Sequence, residues 1–298
     1  MRLLHRALAG LAVVSAAGLS TAAMAGEEPS LVYEPATEWM LEYGDTRCRA
    51  GRIFGTEEKP TLLLLDQHNP ASFFSWLIAG EALEDVGSNK RLLIRFGEDN
   101  EEFMLDAGLI LKMERYGKAF RGSGVRKAER SEQAAEPDFL ARHFDLDPAE
   151  GAAIKWIDVS RGGKIVRLET GSLEQIYRGM NKCMDDLIRH WGVDPAVQRT
   201  VATMPKFENI VSVAQRIQRH YPRSAIANSE QTNMHFRVMV DAEGKVTDCK
   251  LTNLTAAENF DDKPCMVIME FARFSPALDQ AGSKVPSYHA GIISYRLN

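Results

Sequence analysis

The stretch QTNMHFRVMV (231–240), followed by DAEG (241–244) and KVTDCKLT (245–252), decides the fold of the C-terminal part of this chain. Phe236, Val238 and Val240 recur at every second position, which predicts a strand with one buried face. Gly244 supplies the conformational freedom that a tight turn needs, so the next segment can return as an antiparallel strand. The stretch therefore predicts a β-hairpin.

An amphipathic helix precedes this hairpin, and a second helix and a last strand follow it. The first helix carries Val213 and Ile217 on one face and ends before Pro222, because the residue before a proline avoids the helical region. The last strand covers residues 285–297. The order helix, strand, strand, helix, strand predicts an α+β domain over residues 206–298, with two helices on a three-stranded sheet.

This ordered set of segments resembles the C-terminal domain of TonB-family energy transducers. The matching segments are, in chain order, YP (221–222), FRVMVD (236–241), EGKVTD (243–248), FARFSPA (271–277), GSKVP (282–286) and the strand that follows. The resemblance implies that the domain binds an extended peptide of an outer-membrane TonB-dependent receptor, or of another envelope protein. It also implies that the peptide adds a strand along the last strand of the sheet.

The resemblance implies a partner-binding edge within the last strand. Its candidate residues are Ser287, His289, Gly291, Ile293 and Tyr295. The chain differs from the family because it lacks a Pro-rich linker and carries another domain before the motif. The usual Ser-Ser-Gly after the second strand is also replaced, by NLT (253–255).

The N-terminus has the three parts of a secretory signal peptide. A short basic segment (2–6) precedes an apolar run (7–17), and AMA (23–25) is typical of a cleavage site. We therefore expect a signal peptide over residues 1–25 and a periplasmic protein with no transmembrane helix after cleavage. The alternative is an uncleaved inner-membrane anchor, which would make the protein a membrane-anchored energy transducer for outer-membrane receptors.

Residues 26–200 are predicted to form a β-rich N-terminal domain closed by a helix, and its role is unknown. Short apolar runs between turn signals favour strands over helices in its first half. Later, Leu173, Ile176 and Met184 follow helical spacing, and Gly192 stands where a helix C-cap belongs.

Four cysteines form an even set, which is typical of proteins from an oxidising compartment. Four cysteines allow three connectivities, and the sequence alone does not choose between them. The two-domain organisation favours Cys249 with Cys265 and Cys48 with Cys183, since each pair then lies within one domain. A reactive thiol is the alternative for any single cysteine, although no C-x-x-C motif supports it.

Composition and motifs argue against several functions. The formal net charge of −5 disfavours nucleic acid as a partner. The sequence lacks the short motifs of serine hydrolases, zinc proteases and P-loop proteins, so we expect no catalytic residues, metal site or cofactor.

His235 and His289 are expected to face each other across neighbouring strands as a surface pair. An enzyme with its site in the N-terminal domain is the alternative to a non-enzymatic binding protein.

Overall fold

The computed structural model describes residues 28–86, 92–104, 109–125, 145–253 and 259–297. The predicted signal peptide over residues 1–25 lies outside these ranges. Within them, no helix combines the length and the apolar character that crossing a membrane requires.

Two sheets make up most of the N-terminal part. Its strands are β1 (Leu31–Tyr33), β2 (Met40–Tyr43), β3 (Cys48–Gly55), β4 (Pro60–Gln67), β5 (Ser75–Gly80), β6 (Leu93–Phe96), β7 (Phe103–Met104), β8 (Leu109–Met113), β9 (Gly117–Ser123), β10 (Ile157–Arg161) and β11 (Lys164–Leu168). One sheet has the order β2-β3-β4-β5-β9-β8 and the other has the order β1-β11-β10-β6-β7. All neighbouring strands are antiparallel except β1 and β11, which are parallel.

Four helices accompany these strands: α1 (Glu81–Val86), α2 (Pro148–Ala153), α3 (Glu174–His190) and α4 (Pro195–Thr200). α3 is the closing helix that the sequence predicts. Its apolar side chains Ile176, Tyr177 and Met184 are buried in the same core as Trp76 and Phe96. Burial of such an apolar face is what stabilises a helix of this kind.

The C-terminal part is an α+β unit, as the sequence predicts. Its elements are β12 (Val201–Thr203), β13 (Lys206–Phe207), α5 (Ile210–Arg219), α6 (Arg223–Ala227), β14 (Thr232–Val240), β15 (Val246–Asn253), α7 (Lys263–Phe271), β16 (Phe274–Ser275), β17 (Ala277–Asp279), β18 (Lys284–Val285) and β19 (Ser287–Tyr295). The main sheet has the order β15-β14-β19 and is antiparallel. Val213 of α5, Val238 of β14 and Ile268 of α7 pack into one core beneath it.

Both disulfides that the sequence analysis favours are present. Cys48 of β3 is bonded to Cys183 of α3, and Cys249 of β15 is bonded to Cys265 of α7. The described residues contain no free cysteine. Each bond joins a strand to the helix that covers it, so each ties together the two layers of its own core.

The two faces of the C-terminal sheet pack against different neighbours. Phe236 and Val238 point towards α5 and α7, whereas Met239 of β14 and Tyr288 of β19 belong to the core of the N-terminal part. The second face is therefore covered by the N-terminal part, although the sequence alone suggests a solvated surface there. The domain boundary near residue 200 stays a prediction.

The expectation that His235 and His289 face each other is wrong. The residue opposite His289 is Val238, and the residue opposite His235 is Ile292. Because side chains alternate along a strand, residues 235 and 238 of β14 point to opposite faces of the sheet. His289 consequently lies on the side of α5 and α7, and His235 lies on the side of the N-terminal part.

Candidate partner-binding site

β19 is an edge strand of the C-terminal sheet. It pairs with β14 over its whole length, from Ser287 to Tyr295. In the part of the chain that the structure describes, no strand pairs with its other side. An edge strand offers main-chain N–H and C=O groups to a further strand, which makes it either a binding site or an aggregation liability.

The five predicted site residues occupy alternate positions of β19 and share one face. Ser287, Ile293 and Tyr295 are buried, and His289 and Gly291 are half-buried. Their side chains build the core of the unit, so they are not free to contact a partner. A partner can therefore contact the main chain of this strand but not these side chains.

Two of the five residues have packing roles that their positions explain. The imidazole of His289 lies 5.9 Å from the ring of Phe236 and 5.2 Å from the ring of Phe274, measured between centroids. Burial lowers the pKa of His289, and its contact with the carbonyl of Pro205 opposes that shift. At Gly291 a Cβ would lie 2.6 Å from the ring of Phe236, so only glycine fits beneath that ring.

The side chain of Gln218 shows which way the main chain of β19 points. Its Nε2 donates a hydrogen bond to the carbonyl of Ser294 over 3.0 Å, so this carbonyl faces α5 and not β14. In an antiparallel strand the N–H and C=O of one residue point to the same side, and the side alternates from residue to residue. Ile292 and Ala290 therefore also direct their main-chain groups away from β14.

An apolar cleft runs beside this edge, between α5 and β19. It has a volume of about 170 Å³ and is lined by residues such as Phe207, Ile210, Val213, Ile217, Ile268 and Ile293. Ile210 and Ile292 at its rim are 50% and 55% exposed. A strand added to β19 would place every second side chain towards this cleft. The sequence shows the apolar face of α5 through its helical spacing. It does not show that α5 lies beside β19, so the cleft could not be predicted.

The segment between the two parts of the chain flanks the first half of β19. Ser287 donates a hydrogen bond to the side chain of Gln198 over 2.9 Å, and Nδ1 of His289 lies 3.2 Å from the carbonyl of Pro205. Both contacts come from residues that precede α5 in the chain. The accessible part of the edge therefore begins near Ala290 and continues to Tyr295.

Comparison with known families supports the resemblance that the sequence suggested. Residues 217–297 match the family described as Gram-negative bacterial TonB protein C-terminal. The match includes β14, β15, α7 and β19, and thus the whole sheet with its free edge. A match to this family points to the envelope of a Gram-negative bacterium. The match leaves residues 1–216 without an assigned family, and a search of curated proteins found no match.

The described residues offer no metal-binding cluster as an alternative site. Among them, no group of three or more His, Cys, Asp or Glu side chains is arranged to hold a metal ion. The edge of β19 and its neighbouring cleft are therefore the candidate site.

Proposed function

We propose that the chain is a non-enzymatic periplasmic protein whose C-terminal unit binds an extended segment of an envelope protein. The segment would add as a fourth strand beside residues 290–295 of β19. An outer-membrane TonB-dependent receptor is the partner that the family match favours. The observation that carries the proposal is the unpaired edge of β19, whose outward main-chain groups lie beside an apolar cleft.

Main-chain pairing and side-chain insertion make separate contributions in this mode of binding. The hydrogen bonds of the added strand provide affinity, and pockets for alternate side chains provide specificity. The cleft between α5 and β19 can take one apolar side chain of the partner, since most of its lining residues are apolar.

A proline at position 292 tests main-chain pairing. Proline lacks an N–H, and the N–H of Ile292 points away from β14, so Ile292→Pro removes an outward donor without breaking the ladder with β14. With a photo-crosslinking amino acid at the exposed Ile210, we expect wild-type cells to give an adduct with an envelope protein. We expect Ile292→Pro to reduce the adduct yield by about tenfold, as loss of one strand-addition hydrogen bond implies.

Ile292→Ala is the matched control, because it shortens the same side chain but keeps the N–H. We expect its adduct yield to stay close to that of the wild type, with both variants checked for folding by circular dichroism. Equal yields in Ile292→Pro and wild type would contradict strand addition at this edge.

The periplasmic location is tested by fractionation and intact mass. We expect a soluble periplasmic species that begins at Gly26 and weighs about 4 Da less than its reduced form, since each of the two disulfides removes two hydrogens. A membrane-bound species that retains Met1 would contradict signal cleavage. It would instead favour a membrane-anchored energy transducer.

A further inference from the structure

A small polar cavity lies where the N-terminal part covers the C-terminal sheet. Its polar lining consists of Thr46, His68 and Asn69 from the N-terminal part and His235, Arg237 and Lys250 from β14 and β15. The lining includes no carboxylate. The cavity measures about 20 Å³, and about 10–15 Å³ is enough to hold one water-sized occupant.

Two residues that line this cavity carry buried polar atoms without a hydrogen-bond partner. Within the described ranges, the atoms of this kind are Gln67 Oε1, His68 Nδ1, Trp191 Nε1, Arg237 Nε and Tyr288 Oη. Two of these residues line the cavity, and the ring of Trp191 lies 4.0 Å from the guanidinium of Arg237 and 5.3 Å from the ring of Tyr288. An unpaired buried polar atom costs about 1–3 kcal/mol, so such a cluster calls for a bound group.

The charge of Arg237 is compensated only in part, by its contact with the ring of Trp191 and by one carboxylate. Its side chain is 12% exposed, and its nearest carboxylate, Asp248, is 3.8 Å away and 46% exposed. Burial lowers the pKa of Arg237 to about 10, and Asp248 opposes that shift, so the guanidinium is charged at neutral pH. Lys250 stands directly opposite Arg237 on β15, and two like charges in that position destabilise a sheet.

Two histidines complete the cavity with hydrogen-bond donors. The rings of His68 and His235 stack with centroids 4.4 Å apart. Burial lowers the pKa of His68 to about 4, helped by Arg121, Arg47 and Arg49 and opposed by Asp66. Burial likewise lowers the pKa of His235 to about 3, helped by His68 and Arg121. Both rings are therefore neutral at pH 7, and each carries one N–H.

We propose that this cavity binds one compact monovalent anion, either chloride or a carboxylate group that enters from the open side. The anion accepts hydrogen bonds from Arg237 and from a histidine ring, and it lies between the like charges of Arg237 and Lys250. A water molecule could fill the space, but it carries no charge to offset the repulsion between Arg237 and Lys250. The bound anion joins both parts of the chain, because its ligands come from both.

Chloride and acetate titrations of the full chain test this site. Histidine ring signals are followed by NMR at pH 7 and assigned with His68→Gln and His235→Gln. We expect the signals of His68 and His235 to move together and to saturate. Saturation with chloride alone identifies a halide site, and saturation with acetate alone identifies a carboxylate site.

Lys250→Gln removes one cation of the site from an exposed position, so the fold should not suffer. We expect it to weaken anion binding by about fivefold, the value of an exposed ion pair near 1 kcal/mol. Lys245→Gln, at the turn of the same hairpin, is the matched control and should bind like the wild type. A linear shift that never saturates, or identical curves for Lys250→Gln and wild type, would overturn the proposal.

Discussion

Replacing Cys48 and Cys183 together by alanine is expected to lower the free energy of unfolding of the N-terminal part by about 4–5 kcal/mol, the chain-entropy value for a long closed loop. The two cysteines lie 135 residues apart in the chain, and their bond joins β3 to α3. Both cysteines are buried, so alanine at these positions gains no compensating solvation in the folded state. Guanidinium unfolding followed by tryptophan fluorescence measures this loss, because all four tryptophans precede residue 200.

The second disulfide is the matched control. Cys249 and Cys265 lie 16 residues apart. By the same entropy argument, replacing both by alanine should lower the free energy of unfolding of the C-terminal unit by only about 3 kcal/mol. Its unfolding is followed by circular dichroism, since no tryptophan lies in that unit. A smaller loss for the long loop than for the short loop would contradict the ranking. It would mean that the unfolded chain keeps β3 and α3 in contact without the bond.

Gly244→Ala is expected to lower the free energy of unfolding of the C-terminal unit by about 3 kcal/mol or more. Gly244 has a φ of +85°, which costs any other residue about 1–3 kcal/mol. In addition, a Cβ at this position would collide with the main-chain carbonyl of Phe274. The hairpin turn and the start of β16 would therefore have to separate, which disturbs the packing of Phe274.

Gly282→Ala separates the two contributions to that loss. Gly282 has a similar φ of +79°, but nothing lies within 4 Å of the position of its Cβ. We expect Gly282→Ala to lower the free energy of unfolding by about 1 kcal/mol, because only the left-handed backbone conformation opposes the new side chain. Thermal and guanidinium unfolding of both variants give the comparison. Equal losses would show that the contact between the turn and Phe274 contributes nothing.

The location of the candidate site follows from the way the chain covers its own C-terminal sheet. One face of that sheet packs on α5 and α7, and the other packs on the N-terminal part. A partner therefore cannot lie on either face while this arrangement persists. The remaining approach is sideways, along residues 290–295, where no described strand pairs with the outer side of β19 and where the carbonyl of Ser294 already accepts a hydrogen bond from Gln218.

Local patterns were enough to predict the two longer helices and the three strands of the main sheet in the C-terminal unit. Alternation in residues 231–240 and the glycine at 244 predict the hairpin, and helical spacing predicts α3 and α5. These predictions succeed because a buried strand face and a buried helix face each leave a periodic trace in the chain. The two-domain organisation also favoured the pairing of cysteines that the structure shows.

Long-range geometry could not be predicted in the same way. The failure for His235 and His289 arose from register, because a shift of one residue moves a side chain to the other face of a sheet. The cavity around Arg237 likewise joins residues separated by more than 160 positions, from His68 to His235. A periodic pattern within a short segment carries no information about a contact between such distant residues.

The sequence by itself determined the α+β unit, its resemblance to TonB C-terminal domains and the strand that ends it, because these depend on periodicity and turn residues within short segments. Only the tertiary structure decided that the N-terminal part covers the second face of that sheet. The polar residues His235 and Arg237 on that face predict exposure to water, and their burial depends on Trp191 and His68 from distant segments. The accessible edge and the cationic cavity both result from that packing.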